Sequence, residues 1–325
     1  MRQRNRKDRK EIKMKQYGFG VDVGGTTIKM GLFEMSGKLL EKWEIPTRTE
    51  EHGKYILDDI AKQVENKLSE KNISKEAVAG IGVGVPGPVK EDGTVIKCVN
   101  LGWGIFNVTE ALSEKTGLPV KAGNDANVAT LGEMWQGSGK GSQDVLLVTI
   151  GTGVGGGIVI GGKMVAGSNG AAGEIGHILV DSKEKEYCTC GKRGCLEQFA
   201  SATGIVRMAK KALAEQEWKT PLREIENLTA KDIFEAAKQG DAFGENQVEQ
   251  LGEILGTAIA NIACVINPEV IVIGGGVSKA GSILIQVLNK YFMEKSYHAS
   301  QNARIVLAKL GNDAGIYGCI RMLIE

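Results

Sequence analysis

The 325-residue chain carries 40 Lys/Arg against 39 Asp/Glu, a net charge of +1, with 42% hydrophobic residues and six cysteines. That length allows one large or two medium domains with sizeable cores. Without the first sixteen residues, which hold eight Lys/Arg against Asp8 and Glu11, the body is net −5, which argues against nucleic acid as the main partner.

Residues 1–16 lack the apolar side chains needed to fold and read as a disordered basic leader ahead of an alternative start at Met14. No apolar signal-peptide region follows them. Tyr17 to Val23 is expected as a strand, Gly24-Gly25-Thr26-Thr27 as a turn, and Ile28 to Phe33 as a second strand. Ile56, Ile60, Val64 and Leu68 recur every four residues and mark an amphipathic helix. Ala79 to Val85 reads as a buried strand closed by Pro86-Gly87-Pro88. A short helix from about Val108 stops at Gly117 and Pro119, and a strand from Val120 to Gly123 delivers Asn124-Asp125 to its carboxyl end before another helix.

The pattern then restarts. Val145 to Gly162 is uncharged for eighteen residues, but seven of them are glycine, each costing a helix about 1 kcal/mol relative to alanine. It therefore reads as strands around a Gly151-Thr152-Gly153 turn, with Gly157 to Ile160 returning, and not as a membrane span. Helices are expected near 201–218, 229–239 and 244–266, then a buried strand Val270 to Ile273 running into Gly274-Gly275-Gly276. A helix near 278–295, a strand over 304–310 and a final helix follow. A strand, glycine turn, strand opening thus occurs twice, about 130 residues apart, which suggests two related α/β domains meeting at a ligand cleft. Their expected extents are 17–122 and 123–311, with the helix over 312–325 returning to the first.

The densest chemistry lies between Glu174 and Glu197. His177, Cys188, Cys190 and Cys195 make a complete four-coordinate zinc set, and with no export signal the protein is expected to be cytoplasmic with reduced thiols. Cys98, Cys264 and Cys319 are expected to be buried as small hydrophobes. A closed zinc site has no position for an activated water, so its expected work is to lock the loop carrying His177 and Glu197, whose second imidazole nitrogen stays available to a ligand. A zinc finger is disfavoured by the Cys-x-Cys spacing; a zinc-stapled loop remote from any site is the plain alternative.

The remaining motifs are weaker singly. Asp22 with Gly24 to Thr27 and Lys29 is either an ordinary hairpin or a phosphate-approaching turn with a carboxylate able to hold magnesium through water. Gly151 to Gly157 and Gly82 to Gly87 both match G-x-G-x-x-G, but a strand resumes after the first and prolines break the second, so neither is a dinucleotide site. Gly274 to Gly276 either permits close helix–strand packing or leaves a bare surface for a nucleoside. Asp125 either caps its helix or accepts a hydroxyl proton in the cleft.

Together these pieces resemble the ROK family of repressors, open reading frames and sugar kinases, and within it the bacterial ATP-dependent glucokinases. The resemblance covers essentially all of 16–325. It rests on Asp22-x-Gly-Gly-Thr, Val85-Pro86-Gly87-Pro88, Asn100-Leu101-Gly102-Trp103, Asn124-Asp125-Ala126-Asn127, Gly151-Thr152-Gly153, Glu174-x-Gly-His177, the cysteine block and Ile273-Gly-Gly-Gly276. It implies a ribonuclease-H-like α/β fold, as in actin and hexokinase, and transfer of the γ-phosphoryl of ATP to the glucose 6-hydroxyl. It also implies Asp125 as the base. Gly87, Asn100, Asn124, Asp125, Glu174, His177 and Glu197 would hold the sugar. Asp22, Gly24, Gly25, Thr26, Thr27, Lys29, Gly151, Thr152, Gly153, Gly274, Gly275 and Gly276 would hold ATP with Mg2+, zinc would be structural, and the protein would be a homodimer. Kinases for mannose, fructose or N-acetylmannosamine share the pattern. Repressors of the family place a winged-helix domain before such a body, and sixteen residues are too few for one.

Overall fold

A computed structural model describes residues 15–324, so most of the expected leader lies outside the described residues. Gln16 already joins the first sheet, donating its N–H to Ala77 O at 2.8 Å.

The first half comprises β1 (Tyr17–Val23), β2 (Thr27–Glu34), β3 (Leu39–Pro46), a four-residue turn α1 (Glu50–Gly53), α2 (Ile56–Lys71), β4 (Val78–Val85), a small ribbon of β5 (Thr94–Val95) and β6 (Phe106–Asn107), α3 (Val108–Thr116), β7 (Val120–Asn124) and α4 (Asp125–Gln136). The second comprises β8 (Val145–Ile150), β9 (Val154–Ile160), β10 (Lys163–Met164), α5 (Glu197–Ala200), α6 (Ala202–Glu215), α7 (Ala230–Lys238), α8 (Ala242–Ile266), β11 (Val270–Gly274), α9 (Ser282–Lys295), β12 (Arg304–Leu307) and α10 (Ala314–Ile324).

The two five-stranded sheets have the same strand sequence, β3-β2-β1-β4-β7 and β10-β9-β8-β11-β12. In each, an antiparallel hairpin opens the sheet and two parallel strands extend it, β4 and β7 in one and β11 and β12 in the other. The twofold restart of the sequence is therefore a repeated topology. Parallel strands covered on both faces need continuous apolar runs, and Val270 to Ile273 are all fully buried.

Several expectations need correction. β3 was not among the expected strands; its residues alternate between half-buried and exposed, with Glu41, Lys42 and Glu44 between the apolar ones, as suits an edge. The helix expected from 278 begins as a 3-10 turn over Gly276–Ala280 and restarts at Ser282 after Gly281, whose φ of +80° breaks the helix. The strand expected over 304–310 ends at Leu307, because the N–H groups of Lys309 and Leu310 turn away to the Glu133 carboxylate. Cys98 and Cys319 are buried, but Cys264 is exposed beside Val265, on the outward face at the end of α8. At 25 residues α8 is the one described helix long and apolar enough to cross a membrane. Phe243, Leu251, Leu255 and Ile259 along it are core residues, which is how a buried helix of a packed domain reads.

Two helices join the halves. α4 follows β7 of the first sheet yet lies against β8 and β9, and α10 follows the second sheet yet lies against β1 and β4. They cross in backbone contact: a Cβ on Gly318 would lie 1.7 Å from Val128 O, and one on Gly132 would lie 2.1 Å from Ala314 O. Gly318→Ala is expected to lower stability by about 3 kcal/mol through forced separation of the helices, read as a shift in the urea midpoint.

Candidate active site

β7 ends on the first turn of α4, and its last residue does the capping. Asn124 Oδ1 accepts the Asn127 N–H at 3.1 Å, so the cap is Asn124 and Asp125 is left for other work. The Asn124 amide donates to Gly87 O at 3.1 Å and to Asp125 Oδ1 at 3.0 Å. The Ala126 N–H reaches the same Asp125 oxygen at 2.8 Å. One oxygen of Asp125 is thereby fixed and Oδ2 has no protein donor among the described residues. Burial pushes the Asp125 carboxyl up to about 6, with Asp22 and Glu174 adding like charge while the Ala126 N–H and the Asn124 amide pull the other way. A carboxylate so poised is ionised at neutral pH yet basic enough to take a proton.

Asp22 stands beside it, across Gly84 of β4: a Cβ on Gly84 would lie 3.6 Å from Asp22 Oδ1 and 3.7 Å from Asp125 Cα. Burial raises the Asp22 carboxyl above the usual range, and Lys29, its antiparallel partner on β2, opposes this. Gly315 of α10 makes room, since a Cβ there would lie 2.7 Å from the Asp22 carboxylate.

Asp22, Lys29, Asp125, Gly274, Gly275 and Gly276 line one cavity of about 510 Å³. Gly275 has φ +82°, and a Cβ on it would press within 2.4 Å of Ile150 O, so glycine is required there; Gly276 faces open space. A second cavity of about 420 Å³ shares Gly276 and Lys279 and is walled by Ala202, Ala230, Phe234, Val277 and Ala280. A charged pocket opening into an apolar one suits a nucleotide's phosphates and its flat base.

A third, open cavity of about 620 Å³ gathers Asn100, Thr152, Gly153 and Glu197 with Cys188 and Thr189 of the cysteine loop. Asn100 sits on a turn braced from behind by Trp103, whose Nε1 donates to Gly53 O at 3.1 Å. A Cβ on Gly25 would lie 3.8 Å from Asn100 Cβ. Gly24, Thr26 and Thr27, at the β1–β2 turn, line neither the first nor the open cavity. Gly151 closes the second hairpin turn by donating to Gly153 O at 2.9 Å.

His177, Cys188, Cys190 and Cys195 converge, with one donor atom from each lying within 4.8 Å of all the others. Cys190 and Cys195 sulfurs are 3.6 Å apart, and His177 Nδ1 is 3.7 Å from Cys188 Sγ. Zinc–sulfur bonds of about 2.3 Å at tetrahedral angles put ligand sulfurs about 3.7 Å apart, so this donor set fits the ion. His177 presents Nδ1 to the cluster, which leaves Nε2 outside it. Glu197 Oε1 accepts from Cys188 Sγ at 3.0 Å and Thr189 Oγ1 at 3.1 Å, while a Cβ on Gly153 would lie 2.7 Å from its Oε2. Glu197 thus links the cysteine loop to the second glycine hairpin.

Sequence reasoning missed Glu133, Thr149, Lys279, Lys309, Asn312 and Gly315, all in the wall of the first cavity. They belong to no motif; Thr149 and Lys279 come from the second sheet and its glycine turn, while Glu133 and Gly315 are brought in by the crossing of α4 and α10, for which the paired glycines at 315 and 318 were the available signal.

Two like sheets joined by crossing helices, with ligand-sized cavities at the strand ends, are the actin/hexokinase-type architecture. The chain belongs to the ROK family, whose sequence model matches residues 18–325. A glucokinase from Halalkalibacterium halodurans is 47% identical over 304 residues, 92% of each chain. A xylose repressor from Caldicellulosiruptor bescii is 30% identical over 310 residues, covering 94% of this chain and 77% of the repressor. The structure of a ROK family glucokinase from Streptomyces griseus in complex with glucose and AMPPNP matches with a TM-score of 0.72 at 33% identity, over 94% of this chain and 98% of that one.

Proposed function

We propose that this protein is an ATP-dependent glucokinase that transfers the γ-phosphoryl of ATP to the 6-hydroxyl of glucose, with Asp125 as the base. The observation that carries this reading is Asp125 itself, with one oxygen fixed by two donors, the other free, and its carboxyl near 6 at the wall of a glycine-lined, lysine-bearing cavity. The 47% identity to a glucokinase supports glucose as the acceptor.

In this reading Gly274 to Gly276 pass the phosphates and the apolar cavity beyond Gly276 takes the base, while the hairpin turns at 24–27 and 151–153, which lie outside the first cavity, would reach the phosphates only on closure of the cleft. Magnesium neutralises phosphate charge when bound, and Asp22 is the carboxylate placed to hold it through water. Asn100 and Glu197 of the open cavity, together with Glu174 and His177, hold sugar hydroxyls, and Asn124 with Gly87 keeps Asp125 aimed. Asp125 Oδ2 takes the 6-hydroxyl proton as the phosphoryl moves in line to that oxygen. The chain's contribution is mostly positioning and charge stabilisation, with the cleft between the two sheets closing to exclude water. His177, Cys188, Cys190 and Cys195 would hold a zinc ion, and their ligation would fix the loop between Glu174 and Glu197. A cytoplasmic homodimer belongs to the same proposal.

The match to a xylose repressor favours one other reading, a sugar sensor without chemistry. A coupled assay of hexose 6-phosphate formation from ATP and magnesium, run with glucose, mannose, fructose and N-acetylmannosamine, is expected to show strong preference for glucose. Preference for another hexose would overturn the acceptor, and no turnover on any would overturn the kinase.

A further inference from the structure

One buried carboxylate in the wall of the first cavity has been given no role so far. Glu133 is wholly shielded from solvent, and its partners are backbone N–H groups: Oε2 accepts from Ser138 at 2.9 Å and Lys309 at 3.2 Å, and Oε1 from Leu310 at 2.7 Å. Gly137 leaves it space, since a Cβ there would lie 1.9 Å from Oε2. A carboxylate in such a place must have its donors, and the donors must have it, because either left unmet is costly. The course of the chain at 309–310, between β12 and α10, is therefore set by Glu133. Ser138 adds a second tie, donating Oγ to Leu307 O at 2.6 Å.

That crossover is a wall of the phosphate cavity. Lys309 and Asn312 line it together with Asp22 and Asp125, and Lys29 Nζ donates to Asn312 O at 3.2 Å. The Lys309 side chain is exposed and has no ion-pair partner among the described residues. Glu133 lies on α4, eight residues or about 12 Å of helix beyond Asp125. One helix thus carries the base at its start and, near its end, the carboxylate that fastens the lysine's backbone.

We propose that Lys309 binds the phosphates of the donor and that Glu133 is the positioning residue that places it relative to Asp125. This rests on the kinase reading above. Lys309→Ala removes only an exposed side chain. It is expected to raise the KM for ATP about tenfold, the loss of one charged contact, with kcat and the KM for glucose within twofold. Inhibition by inorganic tripolyphosphate should weaken in parallel, while inhibition by adenosine should not. Glu133→Gln loses one acceptor and sets an amide N–H against backbone donors, so it should raise the ATP KM similarly. The double variant should be no worse than the weaker single one, because both changes break one contact. An unchanged ATP KM in Lys309→Ala, or full additivity in the double variant, would overturn the proposal. If Glu133→Gln does not fold, hydrogen exchange on the native protein decides its part: the Lys309 and Leu310 amides must exchange as slowly as core strands, and fast exchange would end it. A native protein without ATP-dependent turnover would instead sink the kinase reading, whereas an active one with unaffected variants sinks only this inference.

Discussion

Asp125→Ala is expected to lower kcat by about 10²-fold or more while glucose still binds. Asp125 stands at the cavity wall with one oxygen free of protein donors and a proton affinity matched to neutral pH, so its loss should remove proton acceptance and leave the proposed sugar contacts of Asn100, Glu174, His177 and Glu197 intact. Near-normal turnover would remove Asp125 as the base. The pH dependence is a second readout. Since kcat/KM reports the free enzyme, it should fall about tenfold per unit below pH about 6, where burial and the charges of Asp22 and Glu174 have placed the carboxyl. The same shift predicts a stability trade-off. The ordinary carboxylate value is about 4, so between about pH 4 and 6 the unfolded chain releases a proton that the folded protein keeps. Stability contributed by Asp125 therefore falls as pH rises through that window and stays lower above it. Asp125→Asn removes this penalty. It should melt higher than the native protein above pH 6, with the gap closing below pH 4; a constant gap across that range would show that burial of charge is not its cause.

Cys190→Ala is expected to abolish zinc binding and raise the glucose KM at least about tenfold, with the ATP KM within twofold. Cys190 is exposed, so its removal costs no core packing; Cys195 is buried, and its substitution would mix metal loss with a cavity. Structural zinc supplies folding free energy of about 10–16 kcal/mol in isolated fingers, and here it would be spent on tying His177 to the cysteine loop that abuts Glu197. Zinc content equal to that of the native protein by elemental analysis would end the four-ligand assignment. Zinc loss with an unchanged glucose KM would keep the metal but detach it from the sugar.

The most legible parts of this chain were those whose physics is local. Two hairpins with glycine turns announced two like sheets, because a strand–glycine–strand opening is written in consecutive residues. The convergence of Cys188, Cys190 and Cys195 was readable because Cys-x-Cys and the following glycine turn bring thiols together within a few residues. Asp125 was readable as a strand-end carboxylate, although its neighbour Asn124 turned out to be the cap: which of two adjacent side chains turns back to the helix depends on what lies behind them, here Gly87. β3 was harder, since an edge strand with one wet face and three charges carries little hydrophobic signal.

What the sequence determined alone was the kind of chemistry present, namely a carboxylate at a strand end, glycines for close approach, and a loop with one histidine and three cysteines able to hold a metal. Tertiary structure decided where these meet. The exchange of α4 and α10 between sheets brings Gly315 against Asp22 and turns Lys309 and Leu310 toward Glu133. Those contacts join residues more than a hundred positions apart, and they depend on backbone-close helix crossing at Gly132 and Gly318, which no periodicity records because it is set by the partner surface and not by the segment.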